Sequence, residues 1–279
     1  MIRIIPVLMI LFFASCGKEA SVEKKEASPE DSTVNTGGLL TRFVTKYNGS
    51  SDSVVYTFQY DNNKRLKSFS TLQPDDDQNI IEQSYRYYRN ASGLVERYVE
   101  YATAVINNIR YEDSAVYHLY LNGGRYDHAI REVLNLPDPV IKDSVVYEYD
   151  GSGRINTVHI TRYEDNAWAE FQKAIYSYDA NGNITQVVLT FEDPGDLHQV
   201  ITLQYSDKSA AANFGNEMLF NGLFAPGFCG PNTMLGFDNP EGPDKYAFSY
   251  EYSSSGKPVK GIQTDLLNGG TANFYYYYQ

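Results

Sequence analysis

The chain has 279 residues, of which 42% are hydrophobic and 14% aromatic, and 35 Asp and Glu outweigh 23 Lys and Arg for a net charge of −12. Such an acidic chain repels phosphate backbones and anionic surfaces, which excludes nucleic acid as a partner. The length left after the N-terminal segments is enough for one domain with a real core.

Met1-Ile2-Arg3 is followed by an apolar run from Ile4 to Phe13. One positive charge and about ten apolar residues make a signal-peptide core, too short to span a bilayer. The expectation is a signal peptide over 1–15. The small residues Ala14 and Ser15 let a processing enzyme reach the backbone before Cys16. Phe13-Ala14-Ser15-Cys16 resembles a lipobox, which implies acyl chains such as palmitate on Cys16 and membrane attachment through that lipid only. Losing residues 1–15, with their single Arg, takes the net charge from −12 to −13. No Asp follows Cys16, and Gly17-Lys18-Glu19 resembles the surface-export signal of Bacteroidetes-type lipoproteins. That resemblance implies an outer-membrane lipoprotein, surface-exposed rather than periplasmic-facing. Residues 17–38 hold no aromatic residue and are rich in Glu, Lys, Ser and Thr. They cannot bury enough apolar area to fold, so 16–38 reads as a lipidated cysteine and flexible tether. Its root-mean-square reach is roughly 25 Å.

Residues 39–279 read as a single repetitive all-β domain. Asp52-Ser53-Val54-Val55-Tyr56, Asp113-Ser114-Ala115-Val116-Tyr117 and Asp143-Ser144-Val145-Val146-Tyr147 each begin an aromatic strand that ends in a polar turn. The strand ends Tyr60, Tyr88, Leu121, Tyr149, Tyr178 and Tyr205 lie 27 to 33 residues apart, and a gap of 47 then leads to Tyr252. Two strands and two connections make roughly 28 residues, so one repeat is one hairpin plus a link. Val54, Tyr56, Phe58 and Tyr60 alternate with polar residues at period two, as strands require. One rim should carry tight Asp-x-x-Gly turns, and the other the acidic, proline-bearing connections 73–78, 135–139 and 192–196. About fifteen strands are expected in an antiparallel up-and-down meander. A flat sheet of that size leaves long edges, so it should be strongly curled or closed into a barrel.

Tyr149-Asp150-Gly151-Ser152-Gly153-Arg154-Ile155 and Tyr178-Asp179-Ala180-Asn181-Gly182-Asn183-Ile184 resemble the YD repeats of RHS proteins. With the lipobox, the tether and Leu235-Gly236-Phe237-Asp238-Asn239-Pro240, the chain is similar to a family of Bacteroidetes lipoproteins of unknown function. The resemblance implies a porin-like antiparallel fold for 39–279 and no activity.

The repeat breaks at an insertion, 206–244. Strands ending at Tyr205 and Tyr252 reach the same rim, so something between them must travel back. The apolar piece from Asn216 to Phe224 is expected to cross or plug the interior, and the Gly- and Pro-rich stretch 225–243 to be an ordered loop. Long insertions in repeat proteins often bind ligands, although a structural cap serves equally.

Little else points to chemistry. His118, His128, His159 and His198 stand in no metal-binding spacing and read as strand residues. No catalytic motif, metal site or cofactor fingerprint is present, and no enzyme is expected. Asp179-x-Asn181-x-Asn183 mimics a calcium loop but lacks its glycine and distant Glu. Asp75-Asp76-Asp77 reads as a solvated acidic loop. Cys229, the cysteine left after lipidation, reads as a small buried hydrophobe. Asp31-Ser32-Thr33 resembles an O-glycosylation site, as do the Asp-Ser pairs at strand starts, with Ser32 or Thr33 the cleanest candidate. Most of the 25 tyrosines should be strand-forming core, although a Tyr-lined concave face stacks sugars well. Three readings follow for a monomer: a module holding a glycan or other ligand, an assembly component with an envelope-protein partner, or a membrane-inserted barrel. A spanning barrel needs no lipid anchor, the polar faces pair with Tyr more than with Leu, and the last residue is Gln279. The first reading is therefore preferred.

Overall fold

The computed structural model describes residues 38–49, 53–74, 80–106, 109–134, 142–164, 167–191, 198–215, 219–220, 226–242 and 244–279. Residues 1–15, Cys16, Ser32, Thr33 and Asp75-Asp76-Asp77 lie outside the described residues. Sixteen strands run in chain order: β1 (Leu40–Tyr47), β2 (Ser53–Tyr60), β3 (Leu66–Pro74), β4 (Ile80–Arg89), β5 (Val95–Ile106), β6 (Ile109–Asn122), β7 (Arg125–Val133), β8 (Lys142–Tyr149), β9 (Ile155–Glu164), β10 (Ala167–Tyr178), β11 (Ile184–Phe191), β12 (His198–Ser209), β13 (Asn232–Asn239), β14 (Asp244–Tyr252), β15 (Pro258–Asp265) and β16 (Thr271–Tyr278). One helical turn, α1 (Pro226–Cys229), precedes β13. Each strand pairs antiparallel with its sequence neighbours and β16 returns to β1, so the sheet closes into an up-and-down barrel.

The meander expected from the sequence is thus present and closed. The strand beyond the expected fifteen is β13, which corrects the reading of 225–243 as loop. Gly236 and the polar ends Asn232, Asp238 and Asn239 hide its alternation. It pairs with β12 and β14 and is the segment that runs back along the wall, which restores alternating strand direction. At Gly236 any Cβ would crowd the Gln204 side chain at 3.3 Å, so the glycine belongs to the close approach of β12.

The tight-turn rim repeats one device. The register shifts just before the turn at Gln59/Tyr60, Tyr88/Arg89, Tyr120/Leu121, Glu148/Tyr149, Ser177/Tyr178 and Glu251/Tyr252. Each shift is a bulge that adds one residue to the returning strand and turns that strand's first side chain inward. Leu66, Val95, Ile155 and Ile184 are consequently buried. The tyrosine closing the outgoing strand then reaches across the rim. Tyr60, Tyr149, Tyr178 and Tyr278 donate their hydroxyls to the carbonyls of Leu40, Tyr126, Ile155 and Pro258. In the turns themselves, Asp61, Asp150 and Asp179 each accept backbone N–H groups two and four residues on. Their second oxygens hold Arg65, Arg154 and Asn183. Gly153 and Gly182 adopt φ of +82° and +91°, and Lys64 takes that left-handed place in the first turn at +63°.

Candidate functional site

A sixteen-strand barrel leaves a channel unless something fills it. In the half next to the tight turns, the insertion does so. Phe214 and Phe228 lie 5.2 and 5.4 Å from the Phe58 ring, and Phe228 also meets Phe43 and Tyr56. Phe220 is 1% exposed and packs on Tyr98, Tyr126 and Tyr147, whose hydroxyl donates to the Phe220 carbonyl at 2.6 Å. Leu219 and Cys229 are buried in the same plug. The tyrosines facing the lumen here are packing residues, and Tyr276 and Tyr278 of the last strand join them while Tyr277 sits outside under Arg42.

Toward the other rim the inner wall turns polar. Register places Tyr117 beside Arg131, Arg131 beside Asp143 and Asp143 beside Arg162. Arg131 donates to Asp143 at 2.9 Å, and Arg162 donates to both oxygens of that carboxylate at 2.8 and 3.3 Å. At 7% and 3% exposure, Arg131 and Asp143 form a buried ion pair, which costs desolvation and so marks a place where the fold accepts a penalty. One row away, Glu100 accepts the hydroxyls of Tyr85 and Tyr117 at 3.0 and 3.2 Å. Burial pushes the Glu100 carboxyl upward, opposed chiefly by Arg131 and assisted by Asp113. Next along the wall, Thr71 faces Gln83, Gln83 faces Ala102 and Ala102 faces Asp113. Thr71 Oγ1, Gln83 Oε1, Asp113 Oδ1, Arg131 Nε and Gln172 Nε2 meet no hydrogen-bond partner among the described residues. A buried polar atom left so costs about 1–3 kcal/mol unless water or a ligand completes it.

A second concavity opens at the tight-turn mouth. It is a cleft of about 370 Å³ between the β2–β3 turn and Ala211–Phe214, with Lys64, Arg65 and Lys257 on its walls. Arg65 is held by Asp61, and Lys257 lies over the Tyr278 ring and near the Ala211 carbonyl. With two of its three cations already engaged, the cleft has little left to offer an anion.

The residues singled out from sequence take structural places. His128 lies 2.8 Å from Asp127, and His159 lies 3.4 and 3.7 Å from Glu148 and Glu170. Among the described residues no three His, Cys, Asp or Glu are grouped to hold a metal. Both Asp179 oxygens are occupied by its own turn. Ser114 is buried, which sets it apart from an accessible modification site. Sequence reasoning missed Glu100, Arg131 and Arg162, and saw Asp113 and Asp143 only as strand starts. Their signal was a charge in the inward phase, as in Tyr98-Val99-Glu100, where the expected residue is apolar.

Across the barrel the connections differ in charge. Those joining β1–β2, β3–β4, β7–β8, β9–β10, β11–β12 and β13–β14 carry Asp52, Asp75, Asp76, Asp77, Asp138, Asp165, Glu192, Asp193, Asp196 and Glu241, without a Lys or Arg. The tight-turn connections carry four acids, Asp61, Asp150, Asp179 and Glu217, against Lys64, Arg65, Arg154 and Lys257.

These features define a closed, plugged sixteen-strand antiparallel barrel. It has a porin-like fold: a porin-like protein from Bacteroides uniformis superposes with a TM-score of 0.51 at 12% identity, over 86% of this chain and 98% of that one. A porin-like protein from Bacteroides vulgatus gives a TM-score of 0.39 at 13% identity, over 87% of this chain and 99% of that one. No family model matches the chain, and no curated protein matches it significantly.

Proposed function

We propose that the chain is a lipid-tethered outer-membrane protein whose barrel stands in water and binds a ligand, with a glycan as the first candidate. The observation that carries this reading is the outer wall. Arg97, His118, Ile130, Ser144, Thr161 and Glu170 are neighbours in one outward row, and His159, Lys173, Thr190 and His198 in another. Lys260 pairs with Glu251 on the same surface. A spanning barrel needs an apolar band about 25 Å tall facing lipid, where one Lys or Arg at mid-depth costs about 2–4 kcal/mol. Here most of the aromatic side chains face inward, and the outer wall mixes charged and polar residues with scattered apolar ones such as Leu72, Val146 and Ile175, which supports a barrel in water over one with a continuous apolar band. The lipobox-like segment at Cys16 then supplies membrane attachment, and surface exposure follows from Lys18-Glu19.

The mature chain carrying Cys16→Ser tests the reading. It should stay a monodisperse monomer without detergent and bind a member of a broad glycan panel. Aggregation without detergent, together with conductance in planar bilayers, would instead make the barrel membrane-spanning. The assembly alternative keeps one foothold in the exposed Trp168, at 51%, beside Tyr163. It gains if the panel is silent and crosslinking in cells through Trp168 traps an envelope protein.

A further inference from the structure

The unpartnered atoms of the lumen are sealed within the wall, whereas the outer wall offers side chains that a ligand can touch. We propose that the ligand stacks on Trp168, on the outer face of the β9–β10 hairpin, and is an uncharged oligosaccharide of pyranoses with equatorial hydroxyls, such as β-linked glucose. This rests on the ligand-binding reading above and assigns it a place and a chemical class.

Trp168 is the chain's single tryptophan and is 51% exposed. Tryptophan is highly buried on average, so an indole held half in water calls for a reason. The ring is not loose. Register sets Trp168 opposite Tyr163, and the two rings meet at 5.3 Å with 53° between their planes. Tyr163 thus supports the indole on one side and leaves the rest of it open. The hairpin beneath is pinned from its inner face. Arg162 lies 3.7 Å over the Phe171 ring while its guanidinium donates to Asp143 of β8. A platform already held in place loses little freedom when a ligand settles on it.

The surroundings select the ligand. On the same outward face, Lys142 stands opposite Tyr163 and Thr161 opposite Glu170. Lys142 pairs with Glu132 at 3.3 Å, an exposed contact that costs little to open. Glu170 lies 3.7 Å from His159 and is exposed. An ammonium, a hydroxyl and two carboxylates therefore flank the two rings. A pyranose with equatorial hydroxyls matches both parts of this arrangement. Its flat C–H face covers the electron-rich face of the indole, and the hydroxyls at its edge donate to carboxylates and accept from the ammonium. Two carboxylates against one ammonium disfavour an acidic sugar. A protein partner fits less well. A stable protein interface covers about 800 Å² on each side around a centre depleted of charge, and here the outward neighbours of the rings are charged or polar.

The lone tryptophan reports on its own site. Titrating the mature Cys16→Ser chain with cellohexaose or laminarihexaose should shift the Trp168 emission to the blue and shield it from acrylamide quenching. Oligogalacturonate should do neither. In calorimetric titrations Trp168→Ala should weaken binding about tenfold or more. Glu170→Gln should weaken it severalfold, and Lys64→Ala at the tight-turn mouth should leave it unchanged. Because the emission is read with Trp168 in place, a folding defect in a variant cannot mimic it. Saccharide binding with unchanged Trp168 emission and full affinity in Trp168→Ala overturns the site and leaves the glycan-binding reading standing. Equal binding of oligogalacturonate, or a preference for mannohexaose with its axial hydroxyl, overturns the ligand class. Silence toward every saccharide overturns the glycan reading and this site together, and an envelope protein trapped in cells by a crosslinker placed at Trp168 would then give this face to the assembly alternative.

Discussion

Tyr178 closes β10 and Tyr205 lies four residues before the end of β12, and their hydroxyls fare differently. Tyr178 donates to the Ile155 carbonyl, whereas the Tyr205 hydroxyl is buried without a hydrogen-bond partner among the described residues. Tyr178→Phe should therefore cost about 1 kcal/mol, a fall in Tm of about 2–4 °C, while Tyr205→Phe should be neutral or slightly stabilising. Equal effects in thermal melts would mean that the rim hydroxyls do not carry the repeat. Glu100 makes a pH-dependent prediction. Burial raises its carboxyl above the ordinary value, so the fold favours the protonated form. That contribution is complete below the unfolded value, about 4.3, and is lost as pH rises through the folded one. Glu100→Gln keeps the neutral form at every pH. Its Tm relative to wild type should rise steadily from pH 4 to pH 8, and a pH-independent difference would rule out the burial argument. Such inward charges are hard to read from sequence because their phase shows only once the bulges are known. The extra residue in each returning strand shifts every position after it by one.

At the scale of elements, the hairpins were legible and the insertion only half so. Strong alternation marks β2, β8, β10 and β14, and Asp-x-x-Gly turns follow β8 and β10. β13 was lost because its identity comes from pairing with β12 and β14 rather than from its own pattern. The plug was legible as an apolar run with nowhere else to go, but its partners were not. Phe220→Ala removes a fully buried ring from among Tyr98, Tyr126 and Tyr147 and should cost about 3–5 kcal/mol by chemical denaturation. Limited proteolysis of the folded chain should correspondingly spare the bonds between Phe214 and Phe224. Rapid cutting there would show that the segment leaves the lumen. In the first turn, Lys64 holds a left-handed backbone at φ +63° where Gly153 and Gly182 do so in later turns. Lys64→Gly should stabilise by up to about 1 kcal/mol, and Gly182→Ala should destabilise by a similar amount, both read from denaturant midpoints.

For the whole molecule, the count of hairpin repeats predicted a sheet too large to stay open, but closure depends on how β1 and β16 meet. That registry, Val44 opposite Tyr275 and Thr45 opposite Phe274, joins residues more than 200 positions apart and has no local signature. Charge is also uneven along the sequence, because the connections that alternate with the tight turns hold ten acidic residues and no cation. Their mutual repulsion acts across solvent and is screened by salt, with a Debye length falling from about 10 Å at 0.1 M to about 3 Å at 1 M. Attractive surface pairs such as Lys260–Glu251 are screened too, but exposed pairs contribute only about 0–1 kcal/mol each. The buried Arg131–Asp143–Arg162 set is largely shielded from salt. Rim repulsion should therefore win, and the Tm should rise by several degrees between low salt and 1 M sodium chloride. Charge reversal at the rim, with Asp75, Asp76 and Asp77 changed together to Lys, should raise the low-salt Tm and flatten the salt response. A Tm that falls with added salt would mean that ion pairs, not the acidic rim, dominate the electrostatics of this barrel.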